Sequence, residues 1–230
     1  MIDILATIAV FFGATAYFID SLSLKIRLTS GLYGRVAIFN HMSMVAMLFN
    51  RLAVSLTLPI LGFLIDSGWN YESIIKVVTL AILLYIFSNI ALLAFGQSIT
   101  NLLVYFLRFY ENDVPDLKKK ENYQKNYPIK LSCFNAPSFF CYSIIILGFF
   151  LPSILASIFF DYRATIIQLG FSLNVFGTLL NVLVIEKEVS QTIEERNSNK
   201  VLKLSNEILL GRLYGALLAG SLIFSIIIFT

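Results

Sequence analysis

The 230-residue chain is 58% hydrophobic and 13% charged, with a mean hydropathy of +0.81 and a net charge of +3. A soluble domain is about half apolar and about a quarter charged, so these values exclude an ordinary soluble fold. They point to a single polytopic membrane domain covering 1–230. One histidine and two cysteines give no support to a zinc site, and Cys133 and Cys141 are read as reduced, structural thiols.

A hydrocarbon core about 30 Å thick needs about 20 apolar residues in a helix. Apolar stretches of that kind predict spans at 2–19, 36–56, 74–96, 141–160, 164–185 and 208–229. Backbone facing lipid must satisfy its own hydrogen bonds, so the fold class is an all-α integral membrane protein with about six transmembrane helices. Ala14-Thr15-Ala16 mimics a signal-peptide cleavage site. However, no Lys or Arg precedes Lys25, and Asp3 stands where a positive region belongs. The first span is therefore expected to be retained.

Asp20 closes that span, and Lys25 and Arg27 follow. A pair between Asp20 and Arg27 or Arg35 is expected, one that a phosphate could open. Four arginines, Arg27, Arg35, Arg51 and Arg212, lie within or against apolar segments. A cation near hydrocarbon has an anionic partner or a water-filled cavity.

The second span carries Asn40, His41, Ser43, Asn50 and Arg51. At about 100° per residue, Asn40, Met47 and Arg51 fall within about 20° of one another, and Ser43 about 60° away. The stripe is about 16 Å long and reads as one wall of a polar cavity, against the plainer reading of an interhelical hydrogen-bond seam. His41, about 100° off the stripe, reads as a structural residue rather than a proton relay. Pro59 is expected to end or kink this helix, with a short piece running to Asp66. Residues 98–110 are expected to lie in the interface or to prolong the third helix.

The loop from Asn112 to Asn135 mixes Lys with Glu and Asp and reads as a solvated linker. In the fifth span Asn174, Gly177, Thr178 and Asn181 share a face. Residues 187–207 read as a cytoplasmic helix or helical hairpin. In the sixth span Gly211, Gly215 and Gly220 suit close helix packing. Arg212 there is expected to snorkel, or to join Arg27 and Arg35 around an anion.

Loop charge sets orientation. The first loop holds Lys25, Arg27 and Arg35, the third six further cations, and the fifth Lys187, Arg196, Lys200 and Lys203. The second and fourth hold only Lys76 and Arg163. Odd loops are thus expected in the cytoplasm, with both termini outside. There is no Ser/His/Asp set, phosphate-cradling glycine loop or carboxylate pair within the spans. Neither hydrolysis nor nucleic-acid binding has support.

The stretch from Ile19 to Asp66 resembles the start of the Amj ("alternate to MurJ") family, bacterial flippases of lipid II. The resemblance rests on Asp20 and Arg27, then Arg35, Arg51, Pro59-x-x-Gly62 and Asp66. It resumes at Asn174-x-x-Gly177-Thr178-Leu179-Leu180 and at Gly211-Arg212-Leu213-x-Gly215-x-Leu217. The chain departs from the family pattern at Thr57 and at Ile185-Glu186.

The resemblance implies transport of an undecaprenyl-pyrophosphate-linked peptidoglycan precursor across the bacterial cytoplasmic membrane, without a cofactor. Guanidinium groups suit a pyrophosphate. The implied headgroup path comprises Asp20, Arg27, Arg35, Asn40, Ser43, Arg51, Asn174, Thr178, Asn181 and Arg212. The implied partners are that lipid-linked precursor and membrane lipids, with a homodimer left open. Other readings are another lipid-linked glycan or undecaprenyl phosphate as cargo, a membrane enzyme, or a non-transporting assembly subunit.

Overall fold

The computed structural model describes residues 2–33, 36–96, 98–102, 105, 134–195 and 197–229. Among these every regular element is helical, and six helices are long and apolar enough to cross a membrane. In chain order the helices are α1 (Ile2–Tyr33), α2 (Val36–Asp66), α3 (Tyr71–Ala94), α4 (Ala136–Ile158), α5 (Arg163–Leu180), α6 (Lys187–Glu194) and α7 (Ser198–Phe229). A single 3-10 turn, Phe160–Tyr162, precedes α5, and a π-helical segment, Asn181–Glu186, joins α5 to α6. Arg35 and the stretch 106–133, with Cys133 and nearly all of the expected linker, lie outside the described residues.

Several helices outrun the apolar windows that predicted them. α1 continues past 19 to Tyr33, and α7 begins at Ser198 rather than 208. Hydropathy reports how much of a helix matches hydrocarbon, not where its hydrogen bonding stops. The 187–207 region is accordingly a helical hairpin, but its limbs are α6 and the first turns of α7. Pro59 does not end α2, which runs unbroken to Asp66. That end is a Schellman motif: Gly68 adopts φ +81, its N–H donates to Ile65 O, and Trp69 N–H donates to Leu64 O. Asn70 then caps α3 and Asn135 caps α4, each side chain accepting from the backbone N–H three residues on. The third helix breaks at Phe95, and residues 98–102 are helical again.

Four helices, α1, α3, α4 and α7, pack mutually into a core bundle. Their directions follow from residue pairings. Tyr17 meets Tyr85 and Ser21 meets Asn89, so α1 and α3 are parallel. Lys25 meets Ser205 and Asp20 meets Arg212, so α7 opposes α1. Gly211 and Gly215 abut Asn135 and Phe139, so α4 runs with α7. Backbone approach is close there: a Cβ on Gly215 would lie 2.7 Å from Phe139 O. The glycines of this helix are thus spent on packing within the chain, with Gly220 against Ile82 of α3.

The other two long helices are peripheral. α2 lies along α1, and α5 lies antiparallel on α4. At Gly148, Gly170 and Gly177 the α4–α5 contact leaves no room for a Cβ. Gly170 receives the ring of Pro152, whose Cγ would be 2.0 Å from an added Cβ. α2 and α5 do not pack on each other among the described residues.

Candidate functional site

The core bundle holds a polar network to which all four of its helices contribute. Arg212 of α7 is 1% exposed. Its Nη1 forms an ion pair with Asp20 Oδ2 and donates to Ser21 Oγ of α1, each at 3.2 Å. Its guanidinium lies over the Tyr142 ring of α4, 4.1 Å from the centroid, and the Tyr142 hydroxyl donates to Asp20 Oδ2. Ser21 Oγ donates in turn to Asn89 Oδ1 of α3 at 3.1 Å. A charge taken into the bilayer needs a partner, and here both charges have one. Tyr17, Tyr85, Phe149 and Phe150 pack beside this network with ring centroids 4.8–5.9 Å apart.

The peripheral helices frame a different feature. Because α2 rides on α1 and α5 on α4, a narrow groove is left between them. Its floor is α4, at Gly148, Phe149, Pro152 and Ser153. Leu58, Gly62 and Ile65 of α2 form one side, and Ile167, Gly170, Phe171 and Asn174 of α5 the other. The expected polar stripe of α2 continues this lining face. Arg51 precedes Leu58 by seven residues and Asn40 by eighteen, which places them about 20° and 0° from it. On α5, Thr178 and Asn181 continue the face of Asn174 in the same way, about 40° and 20° away.

Two ion pairs flank this lining along the direction of α5, one beside it and the other twelve residues beyond Asn174. In the first, Arg163 Nη1 of α5 donates to Asp66 Oδ1 of α2 at 2.5 Å, and the same guanidinium stacks on Phe160. In the second, Arg27 of α1 pairs with Glu186, the last residue of the π segment, and donates to Ser190 Oγ of α6 at 2.8 Å. Arg163 and Glu186 stand 23 residues apart, about 34 Å along a helix, which is close to the roughly 30 Å of a bilayer core. Counting fifteen residues inward from the Asp66–Arg163 pair sets Arg51 opposite Thr178, about 22 Å from that end.

The ten expected path residues therefore do not form one cluster. Asn174 lines the groove, and Arg51, Asn40, Thr178 and Asn181 lie beyond its lining in helical phase with it. Arg51 and Thr178 are exposed, and the side-chain oxygens of Asn40 and Asn181 are buried without a hydrogen-bond partner. Asp20 and Arg212 belong to the core network. Ser43 is buried on the α1 side of α2, off the groove face.

Arg27 stands apart from both, paired with Glu186, and Arg35 lies outside the described residues. Asp20 does not pair with Arg27 as the sequence suggested. A span-closing Asp finds its cation 192 residues away instead, because helix packing, not chain proximity, chooses neighbours. Arg212 neither snorkels nor joins Arg27, since α4 and α1 enclose it. His41 is exposed and faces away from the stripe.

Sequence reasoning missed Tyr142, Ser21, Asn89 and the bridging role of Glu186. Asn89, a lone amide in a highly apolar span, was a signal that could have found the network. Glu186 registered only as a departure from a family pattern. Among the described residues no group of three His, Cys, Asp or Glu side chains could hold a metal ion, and Cys141 is a buried free thiol.

No family model matches the chain, and neither a curated protein nor a solved structure matches it. The class that the fold itself defines is a multi-pass, all-helical protein with six candidate membrane spans. It combines a braced four-helix core with a groove between two outer helices.

Proposed function

We propose that this protein is a flippase that moves an undecaprenyl-pyrophosphate-linked glycan, lipid II, from the inner to the outer leaflet of a bacterial cytoplasmic membrane. In this reading the Lys- and Arg-rich loops face the cytoplasm and both termini face outward. The single observation that carries the proposal is the groove between α2 and α5, whose two sides each continue into a polar face within otherwise apolar helices. Polar side chains at such a surface need protein or water beside them. A polar headgroup travelling along the groove, with its polyprenyl tail left in lipid, meets that need.

Arg51 is the receiving cation within the membrane. It is exposed, on the lining face, and has no ion-pair or hydrogen-bond partner among the described residues. A guanidinium offers paired donors to a pyrophosphate. Asn174, Thr178 and Asn181 face it with amide and hydroxyl groups suited to sugar hydroxyls. The groove as it stands is too narrow for a disaccharide-pentapeptide headgroup. Passage of the whole headgroup therefore requires α2 and α5 to separate. Each is held mainly to one core helix, so they can separate while the core stays intact. An inside-negative potential favours outward movement of an anion by about 2.3 kcal/mol per charge per 100 mV.

The test is functional replacement. The chain is expressed in bacteria whose essential lipid II flippase can be switched off, and lipid II on the outer leaflet is assayed. Growth with surface-exposed, chemically intact lipid II is the expected result. Well-inserted protein without rescue overturns the lipid II assignment. Vesicles carrying other lipid-linked glycans or undecaprenyl phosphate then identify the cargo, and chemical alteration of the lipid would identify an enzyme.

A further inference from the structure

We infer that the Asp66–Arg163 and Arg27–Glu186 ion pairs are the two latches of the α2–α5 groove, one at each membrane face, and that they open in alternation. The inference rests on the transport reading above and adds residues that the reading did not contain: Asp66, Arg163, Glu186 and Ser190.

The argument is one of topology. The α1–α2 hairpin and the α4–α5 pair are separate units on the groove side. Between α2 and α5 there is no backbone packing among the described residues. What joins them across the groove is the Asp66–Arg163 pair at one end. At the other end, α1 is tied to the continuation of α5 by Arg27, through Glu186 and Ser190. The spacing of the two ties along α5, 23 residues or about 34 Å, matches a bilayer core of about 30 Å. Each tie thus falls at a water interface, where a charge pair can break and its members hydrate.

The two ends are also built to differ. Asp66 and Arg163 are both substantially exposed, so their pair exchanges readily with water. Arg27 and Glu186 are more enclosed, and Arg27 is further held by Ser190. The helix they close is π-helical from Asn181 to Glu186, a form that occurs where a helix is locally distorted and often at functional sites. A phosphate arriving at this end competes with Glu186 for the Arg27 guanidinium, because both are oxyanions suited to the same paired donors. Substrate binding then releases the latch at its own side, and the distant pair stays closed until the headgroup reaches it. Both pairs are formed here.

The test reads each end separately. In a Cys133→Ser, Cys141→Ser background, spin labels at Ser67 and Thr165 report the Asp66 end, and labels at Met44 and Lys187 report the Arg27 end. All four positions are exposed. Distances are measured by pulsed electron resonance in lipid nanodiscs. Asp66→Asn is expected to add a longer-distance population at the Asp66 end alone, and Glu186→Gln at the Arg27 end alone. Unchanged distances in both variants overturn the inference, and so does equal broadening at both ends, which would mean general loosening.

Transport is then measured in vesicles with fluorescent lipid II. In an Asp66→Cys/Arg163→Cys protein, a short reducible bis-thiosulfonate crosslinker is expected to stop transport, and reduction to restore it. Full transport while crosslinked overturns the latch. Absence of transport by the unmodified protein, with the distance changes present, overturns the flippase reading and leaves the latches standing.

Discussion

Arg212 and Arg51 are both arginines inside apolar helices, and the protein treats them in opposite ways. Arg212 is enclosed by neighbouring helices, with Asp20, Ser21 and Tyr142 all in contact with its guanidinium. Arg51 is exposed on the groove-facing side of α2 and has no hydrogen-bond or ion-pair partner among the described residues. A buried cation paired across helices is a brace. An unsatisfied one beside a groove is available to something that arrives. The contrast extends to the helices that carry them: Arg212 belongs to the core bundle, where Asp20, Ser21, Asn89 and Tyr142 link four helices, and Arg51 to a peripheral helix.

The largest effect is expected from breaking the brace. Arg212→Ala leaves the half-buried Asp20 without its counter-charge, and removal of one partner of a fully buried pair costs about 3–5 kcal/mol, an upper bound here. Thermal unfolding in detergent should show a large loss of stability, or the protein should fail to accumulate. The double replacement Asp20→Leu with Arg212→Met removes both charges and should recover most of that loss, since an apolar substitute for a buried pair is often neutral. If the double variant is no more stable than Arg212→Ala, the network is not a brace. Arg212→Lys is expected to fall between, because an ammonium cannot reproduce the planar stacking on Tyr142.

That brace also shows what could and could not be read from the sequence. Composition and apolar run lengths were enough for six membrane helices. The glycines of α7 were correctly expected to serve packing, and the stripe on α2 is in phase with the groove lining, because both depend only on the helical repeat. The partner of Asp20 was not legible. Arg27 lies seven residues on and shares a face with Asp20, whereas Arg212 is distant in the chain and adjacent only after α1 and α7 pack antiparallel. Helical phase says which residues share a face and nothing about which helix that face meets. The boundaries of α1 and α7 failed for another reason. Their polar turns beyond the apolar windows keep helical hydrogen bonding while packing against each other, as Lys25 with Ser205 and Gly31 with Val201 illustrate.

A smaller effect separates core-facing from groove-facing glycines. Gly170→Ala drives a Cβ into the Pro152 ring, to 2.0 Å from its Cγ. Pro152 is a rigid ring within α4 and cannot swing aside, so α5 must be pushed off α4. Overpacking of this kind costs about 1–3 kcal/mol. Gly62→Ala meets no atom within 4 Å, and replacing a helix-interior glycine by alanine gains about 0.5–1 kcal/mol. The two variants should therefore move the unfolding temperature in opposite directions. Equal destabilisation by both would mean that α2 is packed on its groove side as tightly as α5 is packed on α4.

The smallest effect on stability, and the sharpest on the proposed activity, is expected at Arg51. Arg51→Ala removes a guanidinium that makes no hydrogen bond or ion pair among the described residues, and surface changes away from structural features alter stability by about 0.5 kcal/mol or less. Unfolding temperature should barely move. Transport should fall, because a hydrogen bond to a charged group is worth about 1.5–3 kcal/mol. Loss of that contact from a pyrophosphate would slow passage by about one to two orders of magnitude if the arginine acts on the barrier for crossing. Arg51→Lys keeps the charge and loses the paired donors, so it should retain an intermediate rate. The split between an unchanged melting curve and a lost flux is what distinguishes a cation waiting for cargo from one that braces the fold. Full transport by a stable Arg51→Ala protein would remove Arg51 from the path and leave the α5 amides as its remaining polar wall.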